Sequence, residues 1–386
     1  MSDDRSVKPR SLTRAALLAL TALAGETAAG DPSQSQAFYP LGSQPSFAGP
    51  SDKFTGQVDV QVLFPDTDQT NYSGAYVTFQ PGAHTAWHSH PAGQHMIVTQ
   101  GKALTGTRDG KVYEFSEGET VWCPSDIDHW HGATPHNAMT HLVITNSKDE
   151  QNVTWKDKLT TAEYTAAQKS IASATDIAGL TVEEQSIVRV AAYAAADQQA
   201  GLTIAFHDAL DAGVTVSELR ETLIHLYAYT GFPRSLNALG NLLGVVEERR
   251  AAGKKDKAGE APMAIAEDKS SRVIGEQVQT ELVGQKVAGP LFEFAPGINT
   301  YLQSHLFGDI FARGVLDYKT RELATVAILA SLKGTESQLN SHIGIATNVG
   351  VSRDQLQGVA ETLAVYLGRA PAVKVTSAIN TVLSDK

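Results

Sequence analysis

His88 and His90 stand two residues apart, Gln94 follows four residues after His90, and another imidazole, His129, lies on a later segment. On a strand, a spacing of two turns both side chains to one face. Three imidazoles and one side-chain oxygen, with coordination positions to spare, form the ligand set of a catalytic divalent transition metal. Gln94 is neutral, so the ion would keep about two positive charges. That strengthens Lewis-acid polarisation of a carbonyl or hydroxyl oxygen and favours an enolate, a carboxylate or cyanide. Manganese, iron, nickel, cobalt and zinc all suit such a donor set.

The spacing extends beyond the ligands. Gly82, His88, His90, Gln94 and Gly101 make one segment, and Gly118, Pro124 and His129 make a second. Together they resemble the two motifs of the cupin superfamily, with Gln94 where the usual pattern has Glu, Asp126 where it has Gly and Ala133 where it has Asn. A closer resemblance, over about residues 40–157, is to the manganese-dependent cupin hydroxynitrile lyases. It includes His129-Trp-His-Gly-Ala-Thr-Pro135 and Ala138-Met-Thr-His141. That resemblance implies manganese first among the metals, one ion per chain held by three His and one Gln. By position, Thr85, His131 and His141 match its active-site residues. His131 is two residues from His129, hence on the same inward face, and His141 lies on a separate strand. Thr145 stands where the subgroup has a further glutamine. His84, His95 and His136 lie outside the constellation and read as surface or supporting residues.

The second half carries a different pair. Leu316-Asp-Tyr-Lys-Thr-Arg-Glu322 opens one helix, and His342 lies near the next. A glutamate and a histidine so placed can relay a proton. This half resembles the carboxymuconolactone decarboxylase family, related to the alkylhydroperoxidases. The thiol chemistry of the peroxidase branch needs Cys-x-x-Cys, and the chain has one cysteine, Cys123. Glu322 and His342 match the Glu and His of the decarboxylase-like branch. An earlier segment, Tyr227-Ala-Tyr-Thr-Gly-Phe-Pro-Arg234, matches the family's helix-turn segment, and Arg234 beside His342 would give a composite carboxylate-binding pocket. The alternative is that both helical segments serve oligomerisation only.

Two kinds of element must position these residues. Val58, Val60 and Val62 alternate with polar residues, Asp109-Gly110 marks a hairpin, and short strands recur up to Thr145. That pattern predicts a small antiparallel barrel over 53–155. From Thr160 the period is helical, and Thr160/Glu163, Thr181/Glu184, Thr215/Glu218 and Ser352/Gln355 are capping boxes. At an offset of 137 residues, Gly213-Val214, Leu219, Tyr229 and Gly231 fall on Gly350-Val351, Leu356, Tyr366 and Gly368. Two helical repeats are therefore expected, over 160–246 and 273–386, with a charged linker at 247–272. They should pack on each other, since two short bundles bury little alone.

At 386 residues the chain needs more than one core. A net charge of -11 disfavours nucleic acid and anionic membrane surfaces as partners. Residues 1–30 place basic residues, an apolar run and small residues in the order of a signal peptide, which implies periplasmic or secreted protein, or cytoplasmic protein if the segment is not one. Residues 31–52 read as a linker. The combined reading is a metal-dependent lyase or decarboxylase acting on a small oxygenated or carboxylated substrate, in a homo-oligomer. A cupin dioxygenase with iron or manganese, and a non-catalytic small-molecule-binding or scaffold protein, are the alternatives.

Overall fold

The computed structural model describes residues 36–67, 69–171, 177, 179–263 and 269–384. The proposed signal peptide, 1–30, lies outside the described residues. The first half is a curled antiparallel sheet. Its strands are β1 (Ser46–Ala48), β2 (Phe54–Thr55), β3 (Val58–Phe64), β4 (Tyr72–Phe79), β5 (His84–Thr85), β6 (His88–Ser89), β7 (Gln94–Thr107), β8 (Val112–Ser116), β9 (Thr120–Cys123), β10 (His129–Ala133), β11 (Met139–Asn146) and β12 (Thr154–Trp155). The order runs β1-β3-β4-β11-β7-β10-β5-β2. β1 lies inside the stretch whose composition reads as linker, and it adds an edge strand to β3.

The period-two pattern is realised in β11, where Met139, His141, Val143 and Thr145 are buried and the residues between them are less so. β7 closes the curl. Its first half pairs with β11 and β9, and its second half with β10 and β8. Gly101 sits where the strand changes partners, at φ 77°, and a Cβ there would come within 2.1 Å of the Ala138 carbonyl oxygen. Only glycine meets both demands.

The helices are α1 (Thr161–Ile171), α2 (Val182–Ala195), α3 (Gln199–Asp211), α4 (Val216–Ala251), α5 (Ser271–Val283), α6 (Pro290–Phe294), α7 (Pro296–Tyr301), α8 (Tyr318–Ser331), α9 (Glu336–Asn348), α10 (Arg353–Tyr366) and α11 (Arg369–Val382). The capping boxes at Thr160, Thr181, Thr215 and Ser352 are all formed. α4 is two helices in sequence, broken at Gly231 (φ 77°, ψ 172°). Gly368 has nearly the same conformation (φ 105°, ψ 179°) between α10 and α11. The offset of 137 thus carries α3, the first arm of α4 and its break onto α9, α10 and the α10–α11 junction. One core, including Val190, Leu202, Leu219, Leu223, Leu323, Ile343, Leu356 and Val375, runs through both repeats. The repeats pack against each other because neither buries its apolar face alone.

The boundary at residue 160 shifts. α1, assigned by its period to the first repeat, packs on the barrel. Leu159, Tyr164 and Ala167 share a core with Trp87, Leu104 and Trp130, and the Tyr164 hydroxyl donates to the Ala133 carbonyl at 2.6 Å. Period identifies a helix but not the surface it covers.

The barrel also contacts the helices directly. Buried Lys102 donates to the Ala364 and Val365 carbonyls at 2.9 and 2.8 Å and pairs with Glu114 at 2.5 Å. Those carbonyls end α10, where the helix dipole is negative. Tyr193 of α2 donates to the Asn137 side chain at 2.6 Å. Residues 44–386 accordingly form one compact unit. Replacing Tyr164 by Ala should destabilise the protein by about 3 kcal/mol through loss of packed ring. Tyr164→Phe should cost only about 1 kcal/mol, for the hydrogen bond. Denaturant unfolding followed by near-UV circular dichroism measures both, and equal losses would contradict the assignment of α1 to the barrel core.

Candidate metal centre

The inner ends of β6, β7, β10 and β11 bring the histidines together. His88 faces His129 across the β6–β10 pairing. Their ring centroids are 4.3 Å apart, with His90 at 5.1 Å from His88 and 5.3 Å from His129. Each of these three rings is held at Nδ1 by a backbone carbonyl: His88 by Ala86 at 3.0 Å, His90 by Asn152 at 2.5 Å and His129 by Ile127 at 3.0 Å. A carbonyl only accepts, so Nδ1 carries the proton and Nε2 is left with its lone pair. The Nε2 atoms of His90 and His129 are buried without a hydrogen-bond partner. Such carbonyl anchoring is how proteins fix the tautomer of a metal-ligating imidazole.

Gln94 completes the set. Its amide nitrogen donates to the Thr145 hydroxyl at 2.8 Å, deep in the barrel. Its Oε1 is buried without a partner. With its nitrogen on the Thr145 hydroxyl, the amide turns its oxygen inward. The sequence marks Thr145 only as a departure from the family resemblance, and the two residues lie 51 positions apart, so no local spacing reveals their contact. An orphaned amide oxygen and orphaned imidazole nitrogens are donors of the kind a divalent transition metal takes. The residues present fit the ion.

The remaining histidines differ in how they are held. His131 lies 5.0 Å from His88 and 4.8 Å from His141, ring to ring. Ligand-capable nitrogens of His88, His129 and His131 fall within 4.8 Å of one another. His131 Nδ1, however, has no partner, and neither nitrogen of His141 has one. With no carbonyl to fix the tautomer, these two rings can exchange a proton between nitrogens. Phe79 stands edge-on to both, at 5.8 and 5.6 Å. The Thr85 hydroxyl accepts from the His131 backbone N–H at 3.1 Å, which ties β5 to β10 and leaves its own proton to donate. His84 stacks on Tyr164 at 4.4 Å and serves packing, while exposed His95 lies tilted against Trp122 at 4.4 Å. Burial pushes the Cys123 thiol up to about 12, which removes it as a nucleophile.

Burial also keeps the imidazoles neutral. It lowers His88 and His131 well below their ordinary value, His90 to about 4 and His141 to about 3. For His88 the neighbouring His129 and His90 add to the effect, and for His131 the neighbouring His141 and His88 do.

In the helical half, Glu322 of α8 and His342 of α9 do meet: His342 Nδ1 lies 2.7 Å from Glu322 Oε2. Arg234 does not complete that pair as expected. Its guanidinium donates to the Ala195 carbonyl at the end of α2, where it satisfies a carbonyl that has no intrahelical partner.

Residues 75–145 match the family described as Cupin domain, and residues 296–380 match the Carboxymuconolactone decarboxylase family. The (R)-mandelonitrile lyase of Granulicella tundricola is 46% identical over 124 residues, which are 32% of this chain and 95% of that protein. The 4-carboxymuconolactone decarboxylase of Acinetobacter baylyi is 30% identical over 98 residues, 24% of this chain and 72% of that protein. Among solved structures, a cupin-like protein from Thermotoga maritima is 37% identical over 32% of this chain and 92% of its own, with a TM-score of 0.31.

The neutral imidazoles set a pH dependence. A histidine lowered in the folded state binds fewer protons there than when unfolded. Its contribution is whole above about pH 6.5 and is lost as pH falls toward the folded value. With His141 lowered to about 3, moving the metal-free protein from pH 7 to pH 5 should cost on the order of 2 kcal/mol for that residue alone. Thermal melts across that range should show the loss, and His141→Phe should flatten the slope. A melting temperature unchanged between pH 7 and pH 5 would contradict the neutral cluster.

Proposed function

The chain belongs to the cupin family through its barrel and to the carboxymuconolactone decarboxylase family through its helical half, and on that premise we propose that it is a metal-dependent carbon–carbon lyase. The reaction takes place in the barrel, on a small oxygenated or carboxylated substrate. One observation carries the reading. Carbonyls hold Nδ1 of His88, His90 and His129, Thr145 holds the Gln94 amide nitrogen, and this leaves His90 Nε2, His129 Nε2 and Gln94 Oε1 buried without partners, atoms of the kind a metal takes. His88, His90, Gln94 and His129 would hold the ion, manganese first, with iron, nickel, cobalt or zinc compatible. When bound, a divalent ion supplies Lewis-acid polarisation of a substrate oxygen.

The chain's own residues do the rest. His131 and His141, both buried and neutral, accept the proton that leaves a substrate hydroxyl as the carbon–carbon bond breaks, and return a proton to the departing carbanion. The Thr85 hydroxyl, fixed by the His131 N–H, donates to the substrate oxygen. Phe79, fully buried, helps keep water from the two rings. The identity to a protein named (R)-mandelonitrile lyase supports the bond type. A dioxygenase using iron or manganese would share the ligands but consume oxygen during turnover. A scaffold protein would have no use for two unanchored inward imidazoles.

Export to the periplasm or beyond is part of the proposal, supported by the order of basic, apolar and small residues in 1–30. So is assembly into a homo-oligomer. Leu236, Leu243, Leu291 and Phe294 are exposed, with Phe294 at 89%, and a partner copy would cover such side chains. Light scattering on the eluting protein should give a mass above that of one chain, and a monomer at micromolar concentration would refute the assembly.

Elemental analysis tests the centre. His88→Ala and His129→Ala should each lose most bound metal and melt at lower temperature, because binding to the folded state is stability. Gln94→Glu should keep the metal. Thr145→Val should weaken binding by roughly 10–100-fold, the usual effect of removing a group that orients a ligand, and Thr145→Ser should restore it. Wild-type protein that binds no transition metal on titration would overturn the proposal, and oxygen uptake with substrate would favour the dioxygenase.

A further inference from the structure

The charged segment that follows the first repeat has a structure that the barrel chemistry does not use. α4 runs to Ala251, and the chain then turns at Gly253 (φ 79°) and Gly259 (φ 80°). Between and after these turns it lies against the start of the same helix. The Val216 and Ser217 backbone N–H groups donate to the Lys257 and Ala258 carbonyls, each at 2.9 Å, and the Ser217 hydroxyl donates to the Glu260 carbonyl at 2.5 Å. The two N–H groups are among those that a helix start leaves without partners. A Cβ on Gly259 would come within 2.3 Å of the Thr215 hydroxyl oxygen, so the returning chain sits directly on the helix cap.

The first turn of α4, its last turns and this returning chain line a cavity of about 490 Å³. That volume suits a small organic molecule better than a lone ion, since ligand pockets run from about 300 to 1,000 Å³. Val216 and Val246, one from each end of α4, give it apolar walls. Arg220 and Arg250, again one from each end, line it beside Lys254 and Lys255.

The carboxylates that could neutralise these cations are bound elsewhere. Buried Arg249 donates to Asp256 from Nε at 3.0 and 2.9 Å and from Nη2 at 2.6 Å, and to Asp211 at 2.7 Å. Lys254 shares Asp211 at 3.1 Å. The Arg249 guanidinium holds both carboxyls below their ordinary range, so both stay charged and bonded to it. Arg220, Arg250 and Lys255 are exposed and form no ion pair among the described residues. Of the acids that line the cavity, Asp256 and Glu260, only Glu260 is left to oppose them. A chain of net charge -11 thus gathers three unpaired cations round one concave surface. Like charges brought together repel, and an anion among them relieves the repulsion.

We propose that this cavity binds a small organic anion that carries at least two negative charges, as carboxylate or phosphate, on an apolar body. Arg220 and Arg250 take the anionic groups through their planar, two-pronged guanidinium donors, and Lys255 adds a point charge. The body rests on Val216 and Val246. The site shares no residue with the metal centre.

Isothermal titration calorimetry on the full chain tests this, with trimesate as the carboxylate probe and phenyl phosphate as the phosphate probe. At least one should bind at a single site per chain, more weakly as salt is raised because exposed charges are screened. The neutral triamide of trimesate should not bind. Arg220→Gln, and Arg250→Gln combined with Lys255→Gln, should each weaken binding by about 10-fold or more. Lys111→Gln combined with Lys148→Gln removes two exposed lysines of the barrel and should leave the affinity unchanged. All of these side chains are exposed, so melting temperatures without ligand should match the wild type. Absence of binding by both probes, equal binding of the triamide, binding that survives the cavity variants, or equal weakening by the barrel pair would each overturn the proposal.

Discussion

Three backbone carbonyls govern the barrel's interior. Ala86, Asn152 and Ile127 each hold the Nδ1 proton of a buried histidine, and this decides which nitrogen looks inward. An imidazole taken out of water loses its hydration and resists protonation. If its N–H is not bonded, it also leaves a buried polar group unsatisfied, at a cost of about 1–3 kcal/mol. The carbonyls settle the second problem for His88, His90 and His129. They leave His131 and His141 unanchored, and that difference separates two kinds of histidine within one cluster: rings fixed to present a lone pair, and rings free to move a proton.

Gln94 obeys the same logic through a side chain. The amide nitrogen rests on the Thr145 hydroxyl, and the amide oxygen faces the centre. Electrostatics makes the choice consequential. A neutral oxygen donor would leave the charge of a divalent ion undiminished, whereas an inward amide N–H₂ would repel it.

In the helical half, the two repeats share a geometry but not their polar residues. The glycine breaks at Gly231 and Gly368 preserve the helix–turn–helix geometry in both repeats. The polar residues at equivalent positions differ. The surface around Tyr366 is covered by the barrel loop at His136 and Asn137, and the buried Lys102 ammonium rests on the carbonyl end of α10. A buried ammonium is tolerable only with such partners, so the contact fixes the barrel in one orientation on the helices.

The sequence by itself determined the ligand spacing, the strand and helix periods, the capping boxes and the 137-residue repeat. These are local: a period of two or 3.6 fixes a face, a Thr or Ser followed by Glu or Gln at the third position fixes a helix start, and a glycine at positive φ fixes a turn. Glu322 and His342, 20 residues apart on adjacent helices, were legible through the family resemblance rather than through spacing. What only the tertiary structure decided is which faces meet. α1 has an ordinary helical period, yet it covers Trp87 and Trp130 rather than the helical core. Arg234, which the sequence placed beside His342, closes the end of α2 instead, while Tyr229, five residues earlier, reaches His342. Thr145 finds Gln94 across 51 residues, and Asn152 finds His90 across 62. Long-range contacts of this kind are selected by the packing of whole elements and the need to pair every buried polar atom, and neither constraint is written in the spacing of neighbouring residues.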